Sequence, residues 1–103
     1  RFGQLFLDKG RFAGRQVFPA EWLDYSVTAA SDSKGKYGAF FWLNRGGGLP
    51  DVPRDMFACD GHDGQQIYII PSKDLVVVVL GYSPKPDRVI DFNRLLADVM
   101  ERL

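Results

Sequence analysis

The sequence predicts an α+β fold in which an antiparallel sheet of three to four strands carries a C-terminal helix packed on one face. Three segments rich in apolar and β-branched residues, 56–61, 65–70 and 75–81, follow one another with only short turns between them. Such a series is typical of consecutive antiparallel strands. Apolar residues then recur at helical spacing near the C-terminus: Val89, Phe92, Leu96, Val99 and Leu103. This stripe predicts an amphipathic helix that covers the sheet.

The composition predicts one domain over residues 1–103 and excludes several classes of function. Hydrophobic residues make up 46% of the chain and aromatic residues 14%, which is enough for a packed core. Lys plus Arg and Asp plus Glu are balanced at 13 each, so the charge gives no sign of nucleic-acid binding. The single cysteine, Cys59, excludes an internal disulfide, and its apolar neighbours predict a packing role. No apolar run is long enough for a membrane segment.

Shorter elements are predicted before and after the three strands. Two helices should lie near the start, the first ending at Gly10 and the second opening at Pro19 and continuing to about residue 30. Residues 37–44 are rich in aromatic side chains and predict the fourth strand. The glycine- and proline-containing segment 45–55 is either a mobile rim of an active site or a disordered connection. Asp87 is predicted to cap the last helix.

The apolar run Leu75–Leu80 does not alternate with polar residues. A strand of this kind is predicted to be buried on both faces of a sheet. The last helix can cover one face, and only the two short helices near the start remain for the other. The run therefore predicts that part of the domain lies outside this chain.

The most informative pattern surrounds the single histidine. The triplet His62-Asp63-Gly64 lies directly before a strand, a Pro-Ser-Lys-Asp turn and the run Leu75–Leu80. With the upstream segments 1–10, 14–22 and 37–44, in that order, it resembles the last part of serine hydrolases related to class C β-lactamases, penicillin-binding proteins, and their esterase and aminohexanoate-oligomer-hydrolase relatives. In that family a His-x-Gly or Lys-Thr-Gly strand lines the active site. The resemblance covers nearly the whole chain and implies the C-terminal portion of a β-lactamase-like fold.

The resemblance implies acyl transfer without a cofactor. A serine in an S-x-x-K motif attacks the carbonyl of a small-molecule ester, amide or lactam, and backbone N–H groups hold the oxyanion. The catalytic residues implied here are His62, as a polar group near the developing charge, Gly64, which lets the substrate approach, and Gln65, whose backbone N–H is an oxyanion-hole donor. The alternative for His62 is a hydrogen-bonded structural histidine.

Three further residues are implied as substrate-binding: Asp63, Tyr37 and Trp42. The two aromatic residues are equally consistent with a place in the core, because alternate residues of a strand face opposite sides. Asp60 and Asp63 flank His62, but no second His or Cys is near, so we expect no metal.

The nucleophile of such a hydrolase is not expected in this chain. Two S-x-x-K patterns, Ser31–Lys34 and Ser33–Lys36, overlap in one polar loop, whereas the chemistry needs the serine at a helix start. No Tyr-x-Asn or Ser-x-Asn triplet occurs. We therefore expect the chain alone to be inactive and its open sheet edge to pair with the missing N-terminal part of the same protein or with a second copy.

Two other interpretations remain open. In the first, the chain is a truncated or degenerate relative of these hydrolases that acts as a binding module without catalysis. In the second, it is a free-standing small α+β domain whose similarity to them is only structural. The sequence decides neither the substrate nor whether the protein is periplasmic, secreted or cytoplasmic.

Overall fold

The computed structural model describes residues 1–87 and 89–103. The elements of this part are α1 (Phe2–Leu7), β1 (Arg11–Phe12), β2 (Arg15–Gln16), α2 (Ala20–Ser26), β3 (Trp42–Leu43), β4 (Phe57–Asp60), β5 (Gln66–Ile70), β6 (Leu75–Val79) and α3 (Phe92–Glu101). β1 and β2 form a small hairpin, and the other strands form a four-stranded antiparallel sheet in the order β3-β4-β5-β6. The predicted α+β class with a C-terminal helix is confirmed.

One face of the sheet packs against α3. The register places Ala58 opposite Tyr68 and Tyr68 opposite Val77, and directly opposed residues share a face. The cluster on this face consists of Val52, Met56, Ala58, Tyr68, Ile70 and Leu96, with Phe92 and Met100 of α3 packed against it. Leu96 is fully buried, as the apolar stripe of the last helix predicts.

The other face packs against the two N-terminal helices. Its cluster contains Leu23, Phe41, Leu43, Phe57 and Ile69, joined by Phe6, Leu7 and Val76. Gly3 lets α1 approach the sheet closely, because an added Cβ would lie 2.7 Å from Val76 Cγ1 and 3.0 Å from Ile67 Cγ2. The two short N-terminal helices therefore supply the layer on this face over the centre of the sheet.

The prediction that Leu75–Leu80 is buried on both faces is wrong. β6 is the edge strand, none of its residues is fully buried, and Val78 is 52% exposed. The strand is apolar on both sides, as the missing alternation indicates. Burial, however, depends on the neighbours, and within the described residues β6 is paired on one side only, with β5.

The prediction of one continuous strand over residues 37–44 is also wrong. Tyr37 pairs with Trp42 across a tight turn in which Gly38 N–H donates to the Phe41 carbonyl at 2.9 Å. The turn docks on the end of α2, where Ala39 N–H donates to the Ser26 carbonyl at 2.9 Å. β3 is thus reduced to Trp42–Leu43, and α2 ends at Ser26 instead of near residue 30.

The segment 45–55 has a defined conformation that one buried side chain organises, so it is not a disordered connection. Asn44 is 1% exposed. Its Nδ2 donates to the carbonyls of Leu49, Val52 and Pro53 at 2.9–3.2 Å, and its Oδ1 accepts from Leu49 N–H at 2.8 Å. The Asn44 amide thus satisfies backbone groups that in a strand or a helix would pair with other backbone groups.

The last helix begins later than predicted. Asp91, not Asp87, is its N-cap, and its carboxylate accepts from Arg94 N–H at 3.1 Å. Val89 lies before the helix and is 94% exposed, so it does not belong to the apolar stripe. Both aspartates suit a cap by residue type, and the tertiary structure selects the one next to the packed residue Phe92.

Candidate functional site

The resemblance implies that the His-x-Gly triplet lies on a strand, and this expectation is wrong: the triplet forms the turn between β4 and β5. The two strands end in the pair Asp60 and Gln66, and Gly61 N–H donates to the Gln65 carbonyl at 2.7 Å. Between them, residues 62–64 form one 3-10 turn. Gly64 is buried with φ +90°, a left-handed conformation that glycine adopts without steric cost. A glycine at this position is therefore required by the turn itself.

His62 lies at the outer tip of this turn. Its side chain is 91% exposed, and its Nε2 lies 2.9 Å from Oδ2 of Asp63. An ion pair at such exposure contributes little to stability. The imidazole is not packed in a core, and its contact with Asp63 is compatible both with a group that meets substrate and with a hydrogen-bonded structural histidine. Asp63 itself is mostly shielded, with 21% of its side chain exposed.

Gln65 and the chain after β6 hold the turn in place. The Gln65 side-chain Nε2 donates to the His62 carbonyl at 3.3 Å, and Ser83 N–H donates to the Asp63 carbonyl at 2.8 Å. The Gln65 backbone is extended, with φ −80° and ψ 130°. These two hydrogen bonds hold the backbone of the turn, whereas the His62 side chain has its one contact with Asp63 among the described residues.

Tyr37 and Trp42 lie together in a second turn. Their ring centroids are 4.9 Å apart with an edge-to-face arrangement, a favourable geometry for aromatic pairs. The antiparallel register of β3 and β4 directs the 38–41 turn towards the same end of the sheet as the His62 turn. The structure therefore brings the six predicted site residues to one end of the sheet, in two separate turns.

A cavity of about 340 Å³ lies on the α3 face of the sheet, and Trp42 is the one predicted site residue among its described lining residues. Its lining includes Trp42, Asn44, Asp60, Gln66, Tyr68 and Phe92. Gln66 is 8% exposed and its Nε2 donates to Asp60 Oδ1 at 2.6 Å. Sequence reasoning missed Asp60 and Gln66 as lining residues. The signal available was Gln66, a buried amide at the start of an apolar strand, because buried polar side chains need a dedicated partner.

A smaller cavity of about 200 Å³ lies beside Gln65, with Cys59, Ile67 and Leu80 among its lining residues. Burial raises the pKa of the Cys59 thiol above its ordinary value of 9.0. A raised pKa lowers the thiolate fraction, and the thiolate is the nucleophilic form. Cys59 therefore has a packing role, as its apolar neighbours predict.

The two S-x-x-K patterns lie in consecutive turns. Ser33 Oγ donates to the Ala30 carbonyl at 2.8 Å, and Lys34 has φ +55°. Neither serine stands at a helix start. Among residues 1–87 and 89–103, no group of three or more His, Cys, Asp or Glu side chains is arranged to hold a metal ion. The helices of this same part are too short or too polar to cross a membrane.

No protein-family model matches the chain, and a search of curated proteins finds no match. Functional inference therefore depends on the sequence resemblance and on the geometry of the two turns.

Proposed function

We propose that this chain is the C-terminal segment of a serine hydrolase that cleaves an ester, amide or lactam through a serine acyl-enzyme. The observation that carries the proposal is the His62 turn. It presents an exposed imidazole at the end of the sheet, on a turn held by Gln65 and Ser83. An imidazole can donate or accept a proton, and an exposed one at the end of the sheet is accessible to a substrate.

Each residue of the turn has a role in this proposal. His62 donates to or accepts from the reacting group, and Asp63, 2.9 Å from Nε2, orients the imidazole and contacts substrate. Gly64, buried and without a side chain, lets the substrate backbone lie close to the strand. The Gln65 backbone N–H is the oxyanion donor, and Tyr37 and Trp42 form the outer wall of the pocket.

The serine nucleophile belongs, in this proposal, to a part of the protein outside these residues. Support comes from the turn conformation of residues 31–36, which keeps both serines away from a helix start. A second support is β6, an apolar edge strand without charge or proline. Edges of this kind are usually covered in native proteins, and a strand from the N-terminal part of the same protein would cover it.

A second candidate is a binding module without catalysis. The observation that favours it is the number of large apolar side chains exposed on this chain, with Phe40 at 86% and Tyr82 at 80% exposure. Exposed aromatic side chains are common anchors in interfaces. The coding sequence upstream of Arg1 separates the candidates, because only the hydrolase requires a helix that begins with S-x-x-K.

The test of the hydrolase is His62→Ala in the intact protein. We expect turnover to fall by about two to three orders of magnitude, as for other single groups that act on the transition state. The melting temperature should stay nearly unchanged, because the side chain is 91% exposed. Lys73→Ala, in the turn at the opposite end of β5, is the matched control and should keep full activity. If His62→Ala keeps its activity, the site assignment is wrong.

A further inference from the structure

The 340 Å³ cavity on the α3 face of the sheet combines one carboxylate with aromatic walls. Its volume lies within the range of small-molecule sites. Asp60 and Gln66, the last residue of β4 and the first of β5, form its polar side, whereas Trp42 and Phe92 contribute aromatic rings. The cavity is open, so a ligand can enter without movement of the backbone.

Asp60 is exposed at the end of β4, and one oxygen of its carboxylate is held by a hydrogen bond. Its Oδ1 accepts from Nε2 of Gln66 at 2.6 Å, and Gln66 is itself 8% exposed. This bond leaves Oδ2 without a hydrogen-bond partner among the described residues. Asn44, the other amide in the lining, uses its side chain on the loop carbonyls. Asp60 therefore carries the single formal charge among the described lining residues, and that charge is negative.

The rings supply a second attraction for a positive charge. Trp42 is 49% exposed and its edge-to-face contact with Tyr37 supports the ring from outside the cavity. Phe92 is positioned by its contact with Tyr68, with ring centroids 5.8 Å apart. Faces of indole and phenyl rings attract cations, and indole does so most strongly. A fixed carboxylate beside such rings favours an alkylated ammonium group over an inorganic ion, because the alkyl groups also bury apolar surface.

We propose that this cavity binds an organic ammonium cation, with the charge on Asp60 and the alkyl groups against Trp42 and Phe92. The site needs only residues of this chain. It therefore goes beyond the proposed hydrolase, and a failure of either proposal leaves the other standing, since binding is measured here without turnover.

The experiment is a fluorescence titration of the 103-residue chain in a Trp22→Phe background. Trp22 lies on α2 outside the cavity and stacks on Tyr25, so this change leaves Trp42 as the single indole reporter. The probes are choline and its uncharged isostere 3,3-dimethylbutan-1-ol. We expect choline to change the Trp42 emission in a saturable manner with a dissociation constant of about 1–10 mM, and the isostere to bind at least about fivefold more weakly.

Asp60→Asn is the decisive variant. An asparagine Oδ1 still accepts the Gln66 bond, so the turn should fold as before, which circular dichroism checks. We expect choline binding to weaken by about fivefold or more. Asp24→Asn, an exposed aspartate on α2, is the matched control and should bind as the parent does.

Three results would overturn the proposal. They are equal binding of choline and the alcohol, an Asp60→Asn variant that binds like Asp24→Asn, and no saturable change up to about 50 mM choline.

Discussion

Strands β5 and β6 are neighbours with almost the same apolar content, yet their environments differ. In β5, Ile69 and Ile70 are 0% exposed, and even the amide of Gln66 is 8% exposed. In β6, Val78 is 52% exposed and the other residues are half-buried. β5 has a strand on each side and a helix layer on each face, whereas β6 pairs with β5 alone in the described structure.

The difference shows that the apolar content of a strand determines which residues can be buried. The position of the strand in the sheet determines which of them are actually buried. A run of valines at an edge gains only part of the transfer free energy that the same run gains in the centre. The following predictions test whether this difference holds in solution, beginning with the largest expected effect.

The first prediction compares the replacement of one side chain by alanine in each of the two strands. Ile69→Ala removes a fully buried side chain from the core on the α1 side, so we expect a loss of about 2–5 kcal/mol of unfolding free energy. Val78→Ala should lose less than about 1 kcal/mol because the side chain is half-exposed. Urea denaturation measures both. Similar losses would mean that β6 is buried in solution by something outside this structure.

The second concerns the contact of α1 with β6. Gly3→Val places a Cβ 2.7 Å from Val76 Cγ1, and we expect a destabilisation of about 1–3 kcal/mol because α1 must move off the sheet. Gly48→Val is the control, since an added Cβ there meets nothing within 4 Å. Thermal denaturation of both variants is the measurement, and a stable Gly3→Val variant would show that α1 is not tightly packed.

The third tests the open edge. We expect the chain to associate at high concentration through β6, and Val78→Lys to weaken that association by about tenfold, because lysine protects sheet edges. Val17→Lys, at a side chain that is 59% exposed and outside the large sheet, is the matched control. Sedimentation velocity over a concentration series distinguishes them. A monodisperse monomer at all concentrations would contradict the prediction.

The fourth and smallest effect concerns Cys59. Burial raises the pKa of its thiol in the folded protein above 9.0, so the neutral thiol is favoured by folding. The resulting stability is fully present below the unfolded pKa and is lost as the pH rises through the folded pKa. We expect iodoacetamide to alkylate Cys59 more slowly in buffer than in urea, and Cys59→Ala to remove the corresponding loss of stability at alkaline pH. Equal alkylation rates would show that the thiol is freely accessible.

The candidate site was only partly predictable. The resemblance implied a strand at His62, Asp63 and Gly64, whereas the structure has these residues in a 3-10 turn, in which Gly64 takes a left-handed conformation that favours glycine. The cavity of Trp42, Asp60 and Gln66 has no such local signature. Its members come from three strands, and only the register Trp42 opposite Ala58 and Asp60 opposite Gln66 brings them to one face.

By itself, the sequence determined the α+β class, the succession β4–β5–β6 and the apolar face of α3, since hydrophobic periodicity and turn residues act over short distances. Only the tertiary structure decided that 37–44 folds back on itself, that Asn44 anchors the following loop and that Asp91 caps α3. Each of these outcomes depends on a contact with a distant segment: the Ser26 carbonyl, the Val52 carbonyl and the packing of Phe92 on Tyr68. Residue pattern sets local conformation, whereas burial and register depend on what packs across from it.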